Sequence, residues 1–130
     1  MKPAEELARV LGTAGGGEPP AGFEIDGQVY TGGATALERA REVMTAVLTE
    51  RELPGWFVAR CVDDSRVQSC TLDRWSIRAW RFWLQPENRR WWWWTARVEG
   101  DEVHLTVLVR AKPYLRGSLD WLFRAAELLA

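Results

Sequence analysis

The chain has 130 residues, of which 47% are hydrophobic and 27% charged, and its net charge is −1. This composition is typical of a single globular domain and excludes a disordered, collagen-like or membrane-spanning chain, since no apolar run reaches the roughly 20 residues of a transmembrane helix. Two cysteines without a CxxC motif and one histidine provide neither a metal-ligand set nor a disulfide framework, so no metal or cofactor is expected.

The first predicted element is a short helix, KPAEELARVL, that ends at Gly12. Pro3 is tolerated in a first turn, and Glu5 and Glu6 lie near the positive end of the helix dipole. The N-terminus is acidic and lacks the apolar segment of a secretory signal peptide, so we expect a cytoplasmic protein. The next residues are rich in Gly and Pro, which is typical of a linker. The sequence therefore predicts a helical arm at 1–12, a Gly/Pro linker at 13–22 and a single α+β domain at 23–130.

A small N-terminal hairpin and a long helix are predicted next. Asp26-Gly27 separates two short β-prone runs in FEIDGQVY, and both central residues of a type I′ turn need positive φ, so this pair predicts a hairpin. From Thr35 the apolar residues recur at helical spacing, and Thr35 with Glu38 makes a capping-box pattern. This pattern predicts a helix over 35–51.

Three further runs are predicted as strands because they are rich in β-branched and aromatic residues. They are WFVARCV (56–62), RVQSCTL (66–72) and WSIRAWRFWL (75–84). Near the C-terminus, Ser118 is a typical N-cap residue and the residues after it place an apolar stripe on one side of a helix. The sequence therefore predicts a final helix over 118–129.

Four consecutive tryptophans open the run WWWWTARVEGDEVHLTVLVR. Successive strand side chains point to opposite faces, so the four indoles divide two and two. The Gly100-Asp101 pair predicts a type II′ turn, and the resulting register places Trp94 opposite Val107. This register puts Trp92 and Trp94 on an all-apolar face toward the helices, and it predicts that Trp94 is much more buried than Arg97.

The opposite face of this predicted sheet interleaves tryptophan with arginine. Monomers rarely expose large apolar patches, and the hot spots of protein interfaces are enriched in these two residue types. The alternative is that arginine stems or the N-terminal helix cover the rings. The candidate interface residues on this face are Arg81, Trp83, Trp91, Trp93, Arg97, Leu108 and Arg110.

The predicted elements combine into an α+β fold. We expect an antiparallel meander sheet of about five strands packed against two main helices, 35–51 and 118–129. A short N-terminal helix and the small N-terminal hairpin complete this prediction.

The leading functional hypothesis is a non-enzymatic protein-binding module, such as an adaptor, an inhibitor or an immunity-type protein, whose partner is another protein or a second copy of the chain. Binding of single-stranded nucleic acid by the same face is one alternative, but the negative net charge and the presence of only two lysines count against it. A small-molecule or enzymatic pocket between the sheet and a helix is another. His104 stands without a nucleophile–base arrangement in the sequence, and no membrane or metal partner is expected.

Overall fold

The computed structural model describes residues 1–14, 17–62 and 75–127, and within these ranges the chain forms an α+β fold of five helices and a three-stranded antiparallel sheet. The helices are α1 (Pro3–Val10), α2 (Gly33–Leu48), α3 (Gly55–Arg60), α4 (Ile77–Leu84) and α5 (Gly117–Glu127). The strands are β1 (Glu24–Thr31), β2 (Trp92–Glu99) and β3 (Glu102–Val109), in the spatial order β1-β3-β2. None of the helices in these ranges has the length and apolar composition needed to cross a membrane.

The predicted five-stranded meander is wrong, because two of its strands are helices. Helix α3 covers most of the run 56–62 and α4 most of the run 75–84, while 66–72 lies outside the described residues. In α4 the Ser76 hydroxyl caps the helix by accepting a hydrogen bond from the Ala79 N–H at 3.0 Å. Trp80 and Leu84, four residues apart, are the buried residues of this helix, so its apolar pattern follows the helical period rather than the strand period.

The predicted N-terminal hairpin is also wrong, since Asp26-Gly27 lies in the middle of β1. Gly27 lacks the positive φ that a type I′ turn requires. The strand instead runs straight through and pairs with β3 along its whole length, from Glu24 opposite Val109 to Thr31 opposite Glu102. A long strand partner therefore overrides the local preference for a turn.

The two main predicted helices are confirmed as α2 and α5, with shifted starts, and α2 ends at Leu48 rather than at residue 51. Gly32, with φ of 102°, is the N-cap of α2, so Thr35 lies within the first turn and the predicted capping box does not form. Ser118 likewise lies inside α5, where its hydroxyl accepts a hydrogen bond from the Trp91 indole N–H at 3.0 Å. Both helices pack against the face of the sheet that carries Val103 and Leu105.

The β2–β3 hairpin has the predicted turn but not the predicted register. Gly100 has a φ of 58° and Asp101 does not have positive φ, as a type II′ turn requires. Ala96 lies opposite Leu105 as expected, but a β-bulge between Trp93 and Thr95 then places Trp93, not Trp94, opposite Val107. The bulge adds one residue to β2 and thereby exchanges the faces of the tryptophans that precede it.

The four indoles do divide two and two, but the pairs are the reverse of those predicted. Trp91 and Trp93 are 0% exposed and belong to the main core beneath α2 and α5. Trp92 and Trp94 lie on the outer face in a small cluster with Leu108. Trp94 is only 8% exposed, compared with 61% for the Arg97 side chain, so the burial comparison is confirmed while the predicted face is wrong.

Helix α1 packs against the edge strand β2 and against α2. Glu6, which is 1% exposed, forms an ion pair with Arg89 and accepts a hydrogen bond from the Trp93 backbone N–H at 2.8 Å. The Arg9 guanidinium stacks 3.5 Å from the centre of the Trp94 ring. The N-terminal helix therefore covers the bulged edge of the sheet, where an unpaired backbone N–H would otherwise remain.

Candidate functional site

The seven residues predicted to form one interface do not share a face. Trp91 and Trp93 are 0% exposed in the main core, so their predicted face is wrong. Leu108 lies on the outer face but is also 0% exposed, in the cluster with Trp92 and Trp94. Arg81 is exposed on α4, and Arg97 is paired with Glu99 near the β2–β3 turn. The remaining two, Trp83 on α4 and Arg110 after β3, line two adjoining hollows on one side of the molecule.

These hollows lie where the connection from α4 to β2 meets the connection from β3 to α5. The first, of about 600 Å³, is lined by Trp75, Trp83 and Trp121 and is called here the tryptophan hollow. The second, of about 550 Å³, is lined by Arg89, Arg90 and Arg110 and is called the arginine hollow. Arg90 and Leu115 line both, so the two hollows form one continuous tryptophan–arginine groove.

The tryptophan hollow has a buried aromatic floor and an exposed apolar rim. Trp75 is 7% exposed and Trp121 is 2% exposed, while Leu115 at the rim is 61% exposed. The indole N–H of Trp121 is buried and has no hydrogen-bond partner among the described residues. A donor of this kind usually finds an acceptor, but this N–H has almost no solvent-accessible surface, so the open part of the hollow suits an apolar group.

The start of α5 is held rigidly behind the tryptophan hollow. The Trp80 indole N–H donates to the Ser118 carbonyl oxygen at 2.9 Å, in addition to the bond from Trp91 to the Ser118 hydroxyl. A Cβ at Gly117 would come within 2.8 Å of the Trp75 ring, so only glycine allows this close approach. The hollow is thus built on packed helices, which favours a preformed binding site.

One wall of the arginine hollow is fixed by Tyr114, whose hydroxyl donates to Asp26 Oδ2 at 2.7 Å. Burial, followed by this contact with Asp26, raises the pKa of Tyr114 to about 12. The same hydrogen bond lowers the pKa of Asp26 below its ordinary value. At neutral pH the ionised Asp26 therefore accepts a hydrogen bond from the Tyr114 hydroxyl, and this bond connects the loop after β3 to strand β1.

Asp120, which lines the tryptophan hollow, is held in a similar way. The Tyr30 hydroxyl donates to Asp120 Oδ1 at 2.7 Å, and Arg116 Nε lies 3.2 Å from Asp120 Oδ2. Burial, and then Asp120, raises the pKa of Tyr30 well above its usual range. Both oxygens of this carboxylate are therefore occupied by the chain itself.

Replacing Tyr114 with phenylalanine should reduce stability at neutral pH and leave it little changed in acid. The lowered pKa of Asp26 means that this group stabilises the fold above its ordinary pKa and stops doing so as the pH falls through its folded value. The free energy of unfolding, measured from neutral pH to about pH 2, should therefore converge for the two proteins at the acid end of the range. A difference that is constant across this range would show that packing, not the hydrogen bond, is lost.

His104, which stands alone in the sequence, is not alone in the structure. Its Nε2 lies 3.2 Å from a carboxylate oxygen of Glu99 and 3.2 Å from one of Glu102, and potential ligand atoms of the three residues lie within 4.8 Å of one another. Both glutamates are exposed, and the Arg97 guanidinium pairs with Glu99. The group forms a hydrogen-bonded surface cluster beside the β2–β3 turn.

Most of the residues that build the groove are not among those predicted from the sequence. Trp75 belongs to a predicted strand and Trp121 to the predicted final helix, and Arg89 has no predicted role. One pattern pointed toward them, namely the pair Arg89-Arg90 directly before the first tryptophans. Comparison of the chain with protein-family models, with curated proteins and with solved structures finds no match.

Proposed function

We propose that this chain is a non-enzymatic protein-binding module, of the adaptor, inhibitor or immunity type, that binds a segment of a partner protein in the tryptophan–arginine groove. The observation that carries the proposal is the continuity of the two hollows across Arg90 and Leu115. An apolar anchor side chain of the partner would occupy the tryptophan hollow. Deep pockets lined by tryptophan and arginine are where interface binding energy concentrates.

The size and exposure of the groove support a protein partner. Each hollow is large enough for a small ligand by itself, but together they form an elongated site with the exposed Leu115 between them. An extended segment fits such a site better than a compact metabolite does.

Nucleic acid is a weaker occupant because the outer indoles are already stacked. The Arg9 guanidinium lies 3.5 Å from the Trp94 ring centre, and Arg89 and Arg110 each lie 5.7 Å from that of Trp92. Single-stranded binding relies on free aromatic faces on which bases can stack. Here the chain's own guanidinium groups occupy those positions.

The proposal can be tested by selecting peptides from a random library displayed on phage and measuring their binding by calorimetry. Trp83→Ala should weaken a selected peptide by about 30-fold, because loss of a hot-spot anchor costs about 2 kcal/mol or more in binding. Trp56→Ala is the matched control, since Trp56 is also a half-buried tryptophan but lies on α3 outside the groove, bonded to Glu42. The affinity of the Trp56→Ala protein for the selected peptide should stay within about twofold of that of the unsubstituted protein.

Two results would contradict the proposal. The first is the failure of any peptide to enrich, or equal enrichment on the Trp83→Ala protein. The second is tight, salt-dependent binding of a mixed-sequence single-stranded oligonucleotide that Trp83→Ala abolishes, which would assign the groove to nucleic acid. Sedimentation of the unliganded protein with and without the Trp83→Ala change tests whether the partner is a second copy.

A further inference from the structure

We propose that the arginine hollow is a binding site for a single carboxylate. This inference rests on the proposed function, since the carboxylate would belong to the partner segment whose apolar anchor lies in the tryptophan hollow. It adds the chemical class that the groove selects, namely a segment with an acidic side chain or a free C-terminus one or a few residues from the anchor.

The first observation is the incomplete bonding of Arg89. This residue is 7% exposed and lines the arginine hollow, and its Nη2 forms the ion pair with Glu6. Its Nε and Nη1 are buried and have no hydrogen-bond partner among the described residues. A buried guanidinium with two unused nitrogens is costly, and a carboxylate is the acceptor whose geometry matches it. Both nitrogens have almost no solvent-accessible surface, so a bound carboxylate reaches them when the side chains around Arg89 move.

The second observation is the excess of positive charge around the hollow. Arg110 stacks 5.7 Å from the Trp92 ring centre and 5.1 Å from that of Phe23, and Arg90 donates to the Glu87 backbone carbonyl oxygen at 3.2 Å. Neither arginine forms an ion pair with a carboxylate in the described part of the chain. Both present a guanidinium that a bound anion would neutralise.

The charge balance selects a monoanion over a phosphate dianion. Three guanidinium groups, those of Arg89, Arg90 and Arg110, are opposed by the carboxylates of Glu6, which is paired with Arg89, and Glu87 at the rim. The excess is one positive charge. One carboxylate balances it, whereas the two charges of a phosphate dianion exceed it by one.

The test uses small probes that do not depend on any selected peptide. The probes are N-acetylglutamate α-amide for an acidic side chain, N-acetylglycine for a free C-terminus, the neutral N-acetylglutamine α-amide, and inorganic phosphate. Binding is followed through the arginine Nε–Hε resonances in ¹H–¹⁵N spectra. At least one of the two carboxylates should shift the Arg89 and Arg110 resonances saturably, and phosphate should bind no more tightly than that carboxylate.

Arg110→Gln should weaken carboxylate binding by about tenfold or more, the effect of losing a charged hydrogen bond. Arg110 is exposed, so this change should leave the fold intact, whereas removing Arg89 would strand the buried Glu6. Arg97→Gln is the matched control, because Arg97 is exposed and lies outside the groove, and it should not change binding. Equal shifts from the neutral amide, unchanged binding to Arg110→Gln, tighter binding of phosphate, or no saturable shift would each overturn the inference.

The inference and the proposed function can fail separately. If selected peptides require Trp83 but bind equally well when their acidic groups are amidated, the groove binds protein without a carboxylate site. If the probes bind as expected but no peptide enriches, the carboxylate site stands and its ligand is a small acid.

Discussion

Replacing Glu6 with alanine is expected to destabilise the protein by about 3–5 kcal/mol, the usual cost of removing one partner of a buried ion pair. The carboxylate of Glu6 has two roles, since one oxygen pairs with Arg89 and the other accepts the Trp93 backbone N–H at 2.8 Å. Alanine would leave a buried guanidinium without a counter-charge and an edge-strand N–H without an acceptor. The melting temperature should fall by roughly 10 to 20 °C.

Two other substitutions in α1 distinguish the loss of the Glu6 contacts from a change in helix propensity. Glu5→Ala removes an exposed acidic residue from the same first turn, and it should cost less than about 1 kcal/mol. Glu6→Gln keeps an acceptor for the Trp93 N–H but removes the charge, so its stability should lie between the two. Urea unfolding followed by tryptophan fluorescence measures all three. Equal losses for Glu5→Ala and Glu6→Ala would mean that α1 is not docked through this carboxylate.

The helices were predictable wherever their apolar period was long. The regions of α2 and α5 repeat apolar residues over three turns or more, and the sequence predicts both as helices, with the two starts and the end of α2 misplaced. The region of α4 is only eight residues long and rich in aromatic residues, a composition that also suits a strand. The cap at Ser76 and the spacing of Trp80 and Leu84 distinguish the two, but over so short a run the composition had favoured the wrong choice.

The bulge in β2 could not be located from sequence, because four identical side chains offer no contrast between the two faces. Any of the indoles satisfies either the core or the outer cluster. Tertiary contacts decide the outcome: Glu6 from α1 accepts the Trp93 N–H beside the bulge, and Arg9 stacks on Trp94. A single extra residue then reverses the face of every indole before it.

The residues of the candidate site were also only partly predictable from the sequence, for a different reason. The frequency of tryptophan and arginine at interfaces points to Trp83 and Arg110, and both line the groove. Trp75, Trp121 and Arg89 come from distant parts of the chain and meet only through the packing of α4, α5 and their connections. Residue type could therefore suggest members of the site, but only the fold brings them together.

Trp91→Ala and Trp93→Ala are each expected to cost about 3–5 kcal/mol, as large aromatic deletions in a core do. Both side chains are 0% exposed. Trp91 also loses its hydrogen bond to the Ser118 hydroxyl, and Trp93 loses its stacking on Phe123, with ring centres 6.0 Å apart. Urea unfolding of the two variants measures these losses in the free energy of unfolding, and both should be as large as stated.

The comparison that tests the bulge is with the outer indoles. Trp94→Ala should cost less, about 2 kcal/mol, because Trp94 packs in a small cluster on the outer face. The long Arg9 side chain, which stacks on the indole, can move into the space that the indole leaves. Trp83→Ala should cost about 1 kcal/mol, since this side chain is only half-buried. In a straight strand without the bulge the order would be reversed, because Trp92 and Trp94 would then face the helices. If Trp94→Ala proves far more damaging than Trp93→Ala, the bulge is misplaced and α1 covers the other pair of indoles.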